Sequence, residues 1–213
     1  MRLLSVWLGL ATSAVVFLPA VSAFAAEDDW DGGYETKAER RSGFTASVGL
    51  GFGLGSAVGY PNEISKFDDP AYESNTGAAL GMQTSIWAGG ALRDWFNFGL
   101  GLNSLSATKG ALKARGSSFI AHIEAFPLWS LGGKARDLSF FTEIGAGSMN
   151  IEGGPEKAEG GLMSTLTLGS SFELLRLGSF ALGPTVAGTY MYSQSLEAYG
   201  VMAGIRASFY GGP

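Results

Sequence analysis

The 213-residue chain contains no cysteine, which excludes disulfides, thiolate catalysis and thiolate-ligated zinc together. It has a single histidine, His122, so any imidazole-dependent mechanism has to rest on that residue. Charged residues make up only 15% of the chain and the net charge is −5, a balance that argues against a nucleic-acid-binding surface. Mean hydropathy is nonetheless positive. Beyond the N-terminal segment, however, no run approaches the ~18 consecutive apolar residues of a spanning helix. A greasy average without a spanning helix is what membrane strands produce, because lipid-facing and lumen-facing residues alternate. What the chain has in excess is glycine, 33 residues, about twice the ordinary share. These glycines are spread along strand-like runs rather than pooled in linkers.

The stretch Phe44 to Gly55 sets the pattern. Phe44, Ala46, Val48, Leu50, Phe52 and Leu54 are apolar, and Thr45, Ser47, Gly49, Gly51, Gly53 and Gly55 are small or hydroxylated. Period two places the two sets on opposite faces of a strand. Phe44 and Phe52 bracket the apolar face. At ~3.3 Å per residue and a tilt near 40°, their separation is roughly 20 Å along a membrane normal, close to the apolar band of an outer-membrane barrel. The nearly bare glycine face suits the crowded inside of a small barrel.

The N-terminus has the layout of an export signal. Arg2 is followed by an uncharged segment from Leu3 to Leu18, and Ala23-Phe24-Ala25 offers a small-x-small cleavage site. Residues 1–25 are therefore expected to be removed. Residues 26–42 carry both charges without periodicity and read as a mobile charged periplasmic tail. The remaining 43–213 form the barrel domain.

Seven further alternating runs follow the first, at 77–89, 94–103, 117–129, 138–150, 161–175, 180–192 and 198–210. Eight is an even number, as bacterial single-chain barrels require. The expected fold is all-β: an eight-stranded antiparallel transmembrane β-barrel in an up-and-down meander. The first, third and fifth connections (56–76, 104–116, 151–160) are polar and long, and the even ones are shorter. With the N-terminus in the periplasm, the odd connections face outward. Pro184 falls inside a strand that cannot be an edge, so it predicts a bulge or a lost ladder bond. Aromatics collect in two belts, Phe52, Phe119, Tyr190, Tyr192 and Tyr199 at the outer level and Phe44, Phe96, Trp129, Phe140, Phe180 and Phe209 at the inner one.

Export signal, eight alternating strands, aromatic belts and loop asymmetry together resemble the small outer-membrane β-barrels of the OmpA-transmembrane-domain and OmpX type. The resemblance spans Gly43 to Tyr210 and is one of pattern. Members usually end in an aromatic residue; here Phe209-Tyr210 is followed by Gly211-Gly212-Pro213. No periplasmic peptidoglycan-binding domain is expected after the barrel. The resemblance implies residence in the outer membrane, with membrane lipids and lipopolysaccharide as surroundings and other envelope proteins as candidate partners.

Chemistry is sparse. The alternate-residue glycines do not form a G-x-G-x-x-G turn opening a helix, and no Walker lysine follows them. No cofactor is expected, and no catalytic or metal-ligating set. Lipid A deacylases of the outer membrane are eight-stranded barrels with a His, Ser and acid set on the outer rim. Such a site would need a serine two residues after the histidine, where this chain has Glu124, and the register turns both side chains inward. Glu124, Glu143, Glu173 and Arg206 are the in-strand charges on inner faces, since an arginine facing lipid near the midplane would cost about 2–4 kcal/mol. Arg206, Glu124 and Glu143, with His122, are expected to form a structural polar cluster in the lumen.

An interior just wide enough for side chains points to a non-enzymatic barrel acting through its loops and partners as a structural or interaction protein, including within an envelope-spanning assembly. A narrow porin-like channel is the alternative, because inward glycines could leave room for water, and a lipid-modifying enzyme is the third reading.

Overall fold

The computed structural model describes residues 40–131 and 133–212. The expected export signal and most of the charged stretch after it lie outside the described residues. Eight long strands follow one another: β1 Gly43–Gly59, β2 Ala79–Arg93, β3 Phe96–Lys109, β4 Leu112–Ala125, β5 Leu138–Glu152, β6 Met163–Phe172, β7 Phe180–Tyr192 and β8 Leu196–Tyr210. Each pairs antiparallel with its neighbour in sequence. β8 returns to β1 from Thr45↔Tyr210 through Gly59↔Leu196. The ladder therefore closes into an up-and-down barrel with no free edge.

Alternation sorts the side chains as period two requires. On β1, Phe44, Val48, Leu50, Phe52 and Leu54 are exposed on the outside, whereas Thr45 and Ser47 are buried in the lumen. The exposed apolar wall continues around the barrel through Ile86, Leu100, Leu102, Phe119, Ile144, Leu168 and Ile205. Aromatic rings bound it at both levels. Phe209 lies 6.4 Å from Phe44 and 5.1 Å from Phe180 at the N-terminal rim, and Tyr190 stacks on Tyr192 at the far rim.

The third connection is not the expected polar loop. β3 continues to Lys109 and β4 begins at Leu112, opposite it, leaving Gly110-Ala111 as a two-residue turn. Gly110 has φ +60°, the positive value that a type II′ hairpin needs at its first central position. Ser104, Ser106 and Thr108 read as loop because the outward face of these strand ends is polar, beyond the level of Phe119. The fourth connection (126–137), with a short 3₁₀ turn Gly133–Asp137, is longer than the fifth (153–162). The long-outside, short-inside pattern thus rests mainly on the first connection. That segment holds a 3₁₀ turn, Ile64–Lys66, and returns along β1 at Ser74–Asn75.

Pro184 sits where the ladder is interrupted. Leu182 pairs with Leu175 and Thr185 with Ser171, so Phe172, Glu173 and Leu174 stand opposite Gly183 and Pro184. One extra residue on the β6 side is a bulge. Leu174 and Leu175 are both exposed, so side-chain parity flips here. The short continuation Leu175–Leu177 consequently keeps its leucines outward while Arg176 turns toward the lumen.

The inward glycines make room for large rings. A Cβ on Gly99 would lie 2.7 Å from Trp87 Cε3, and one on Gly169 would lie 2.2 Å from Phe141 Cζ. Trp87 is 3% exposed, so glycine on the neighbouring strand and a ring from across it fill one volume. Gly169→Ala is therefore expected to destabilise the barrel by about 1–3 kcal/mol through overpacking, with a smaller penalty in the Phe141→Leu background. Urea unfolding of refolded protein in liposomes measures both; a neutral Gly169→Ala would show that Phe141 is free to move aside.

Candidate functional site in the lumen

β4 and β8 lie four strands apart in either direction around the closed ladder, so a residue on one faces the other across the full width of the lumen. Arg206 on β8 makes that crossing, and its Nη2 donates to Oε1 of Glu124 on β4. Glu124 also accepts from Asn97 Nδ2 at 3.0 Å. Both side chains are buried, Glu124 completely. Strand pairing places His122 directly beside Glu143, and His122 Nδ1 lies 3.1 Å from Glu143 Oε1. Glu143 accepts from Ser85 Oγ at 2.9 Å and from Asn103 Nδ2 at 2.7 Å. His122 Nε2 is 3.9 Å from Glu124, so the imidazole links the two acids. All four residues of the expected cluster thus meet in one layer, with Arg206 reaching Glu124 rather than Glu143.

Two rings hold the histidine. Trp87 stacks on it at 4.1 Å and Phe141 at 5.4 Å, and the Arg206 guanidinium sits 5.4 Å over Phe141. This slot, not a solvent-facing rim, is where His122 lives. Ser85 and His122 both bind the same oxygen of Glu143, so the carboxylate stands between hydroxyl and imidazole. A Ser-His-acid relay needs the imidazole in the middle. Among the described residues no group of three or more His, Cys, Asp or Glu is arranged to hold a metal ion.

Beyond this layer the lumen changes character. Gln83 donates to Thr189 at 2.8 Å, Thr189 and Thr167 share a hydrogen bond at 2.8 Å, and Asn103 reaches Thr167 at 3.2 Å. Toward the far rim the lining turns apolar, with Leu105, Met149, Ile151, Met163, Met191 and Met202 in one buried cluster. The connections then roof it. Tyr60 N–H donates to the Ser195 carbonyl at 2.8 Å, and Glu159 N–H donates to the Tyr60 carbonyl at 3.2 Å. In the middle lies a cavity of about 40 Å³ beside Gly49, Gln83, His122 and Arg206, enough for a few water molecules. Three buried polar atoms from its lining, Gln83 Oε1, His122 Nε2 and Arg206 Nη1, have no protein hydrogen-bond partner.

The N-terminal rim holds a second cluster that sequence reading passed over. Arg41 falls in the stretch expected to be a mobile tail, yet it is 1% exposed. Its guanidinium donates to Glu173 at 2.8 and 3.4 Å, to Asp137 at 2.8 Å and to the Asp94 carbonyl at 3.1 Å. It lies 3.7 Å over the ring of Phe126. Burial alone would lower its pKa, but Glu173, by charge and hydrogen bond, together with Tyr210 and Asp137 outweighs that and holds the guanidinium above its ordinary value. Glu173 further accepts from Arg176 at 3.0 Å and from the Tyr210 hydroxyl at 2.5 Å. Nothing periodic marks Arg41 in the sequence. The one available signal was Glu173, an inward acid with no partner at its own depth.

Arg206→Met should destabilise by about 3–5 kcal/mol because Glu124 is left buried without its arginine counter-charge. Combining it with Glu124→Gln should cost less than the two singles summed, whereas Glu143→Gln should add nearly independently. Strict additivity of Arg206→Met with Glu124→Gln in urea unfolding would refute the pair. For the rim, Arg41→Met should cost about 3 kcal/mol, against less than ~0.5 kcal/mol for Lys66→Met on the far-rim surface. A silent Arg41→Met would return residues 40–42 to the tail.

No family model matches this chain, and no curated protein does. Among solved structures it is similar to Neisserial surface protein A, at 12% identity over 76% of this chain and 95% of that one, with a TM-score of 0.46. It is also similar to Ail, the attachment invasion locus protein of Yersinia pestis, in complex with the heparin analogue sucrose octasulfate, at 13% identity over 78% and 99% and a TM-score of 0.46. The N-terminal β-barrel domain of Pseudomonas aeruginosa OprF matches at 12% identity over 78% and 97%, with a TM-score of 0.42. These likenesses are remote, and the fold rests on the strand pairing itself. By strand number, closure and up-and-down order, the chain has the architecture of the small eight-stranded outer-membrane barrels.

Proposed function

We propose that this chain is an outer-membrane barrel that acts as a structural or interaction protein, through the connections and outer wall it presents, and neither transports nor catalyses. The observation that carries this reading is the filled lumen. From the N-terminal rim to the far rim the interior passes through an ion-paired seal, a buried ion pair, an aromatic-imidazole stack, an amide-hydroxyl layer and an apolar plug. Side chains buried at every one of these depths weigh against the narrow-channel reading. An exposed apolar wall bounded by aromatic rings supports residence in a bilayer, with lipids and lipopolysaccharide as the immediate surroundings. The far-rim connections, tied together through Tyr60 and the Lys66–Glu156 ion pair at 2.8 Å, form a fixed surface suited to meeting other envelope molecules. The burial of His122 away from both rims weighs against a lipid-modifying enzyme.

The mature protein is expected to fractionate with the outer membrane, to show heat-modifiable gel migration, and to give no resolved conductance steps in planar bilayers. Recovery as a soluble periplasmic protein would end the membrane reading. Discrete conductance in the wild type would transfer the function to the channel class.

A further inference from the structure

The exposed cations of the far rim are concentrated on one part of the wall. Lys109, Lys113 and Arg115 all belong to the β3–β4 hairpin, and among the described residues none of the three side chains has an ion pair or hydrogen bond. Lys113 and Arg115 share the outward parity of Phe119 on β4, the aromatic of the far-rim belt. They stand six and four residues beyond it, so at ~3.3 Å per residue Arg115 is about 13 Å along the strand past the ring. Across the ladder, Arg115 pairs with Asn150 and Ser117 with Ser148. Together with Lys157 these residues line an open groove of about 510 Å³ on the outer surface. Glu159 also lines the groove but is engaged by Lys157 at 2.8 Å. Glu152 stands opposite Lys113 without forming an ion pair with it. Arg115 is thus the free charge of the groove, flanked by two hydroxyls and an amide.

Directly below lies an apolar wall. Phe119 is 56% exposed, Ile144 58% and Leu102 56%, and Phe119 is flanked by Leu102 and Ala146 on the adjacent strands. The groove therefore sits on the same face as a surface for acyl chains, at the height where a headgroup begins. The opposite wall differs: β7 and β8 offer Tyr192, Tyr199 and Glu197 at this level, with Glu197 bound by the Tyr190 hydroxyl at 3.2 Å. A guanidinium with neighbouring hydroxyl donors is matched to a phosphate. An exposed acyl-chain wall beneath it is matched to a lipid.

We infer that the outer wall of β4 and β5 is a docking site for a phosphorylated glycolipid of the outer leaflet, with its phosphate held by Arg115, Ser117 and Ser148 and its acyl chains laid against Phe119, Leu102 and Ile144. This inference rests on the membrane reading above and adds to it a position on the wall and the phosphate group that is recognised there. Lys113 and Lys109, farther from the apolar band, extend the positive surface toward more distal anionic groups of the same lipid.

The test uses the full mature barrel refolded into phosphatidylcholine vesicles, with folding verified by heat-modifiable migration. Vesicles carry lipid A with both phosphates, or chemically dephosphorylated lipid A, and retained glycolipid is quantified by mass spectrometry after mild detergent extraction and purification. Wild type is expected to retain phosphorylated lipid A about tenfold over the dephosphorylated form, the scale of one strong charge-assisted contact. Arg115→Gln is expected to lose most of that preference, and Arg115→Lys to keep part of it. Lys134→Gln, in the 3₁₀ turn at the opposite rim, should leave it unchanged. Equal retention of the two lipids by folded wild type, or an unaltered preference in Arg115→Gln, would overturn the site while leaving the membrane reading intact. Equally tight binding of the deacylated phosphosugar would also overturn it, assigning the groove to a soluble polyanion. Failure to insert at all would overturn both.

Discussion

A barrel of eight strands has an interior only as wide as two side chains meeting, and the Arg206–Glu124 contact across that width is the constraint around which the rest is arranged. A guanidinium taken out of water must be paired, and in a closed ladder its partner has to come from the facing wall. That requirement sets the depth of Glu124 relative to Arg206 and, through cross-strand neighbours, the depth of His122 and Glu143. Asn97, Asn103 and Ser85 then occupy the oxygens that the arginine does not reach. The partners come from β2, β3, β4, β5 and β8, so the cluster ties the cylinder together from inside as the ladder does from around it.

Filling follows the same logic at other depths. Where ions and amides end, rings begin, and each ring needs a glycine opposite: Gly99 for Trp87 and Gly169 for Phe141. Glycine in these strands is thus less a sign of flexibility than of volume given up to a neighbour. At the far rim the lumen is lined by methionine, leucine and isoleucine, which pack without needing polar partners. At the N-terminal rim the bulge opposite Pro184 lets Arg176 join Glu173 while its flanking leucines stay outside. Arg41 closes that end by inserting a charge from just before the first strand. The two ends are sealed by different physics, ion pairing at one and apolar packing under a hydrogen-bonded roof at the other.

On the function proposed above, a lumen filled by its own side chains leaves recognition to surfaces. The buried charges have a structural account in the cost of leaving any of them without a counter-charge. The free charges lie outside, and they are unevenly distributed. Among the described residues the β3–β4 hairpin carries cations whose side chains have no partner, whereas Lys66 and Lys157 are neutralised by neighbouring acids. The asymmetry gives one side of the barrel a character that the apolar band below it does not have.

Period two alone determined much of this protein. Alternation in Phe44–Gly55 and seven later runs placed all eight strands, their lipid and lumen faces, both aromatic belts and the inward direction of His122, Glu124, Glu143 and Arg206, because parity along a strand is local. Pro184 marked its bulge for the same reason, since a missing N–H is a property of one residue. The sequence could not distinguish loop from protruding strand over 104–116, where the outward face is polar because it has left the apolar band. Nor could it choose between Glu124 and Glu143 as the partner of Arg206, or see Arg41 as part of the barrel. Those outcomes depend on which strands face each other across the closed cylinder and at what stagger, and only closure of β8 onto β1 decides that.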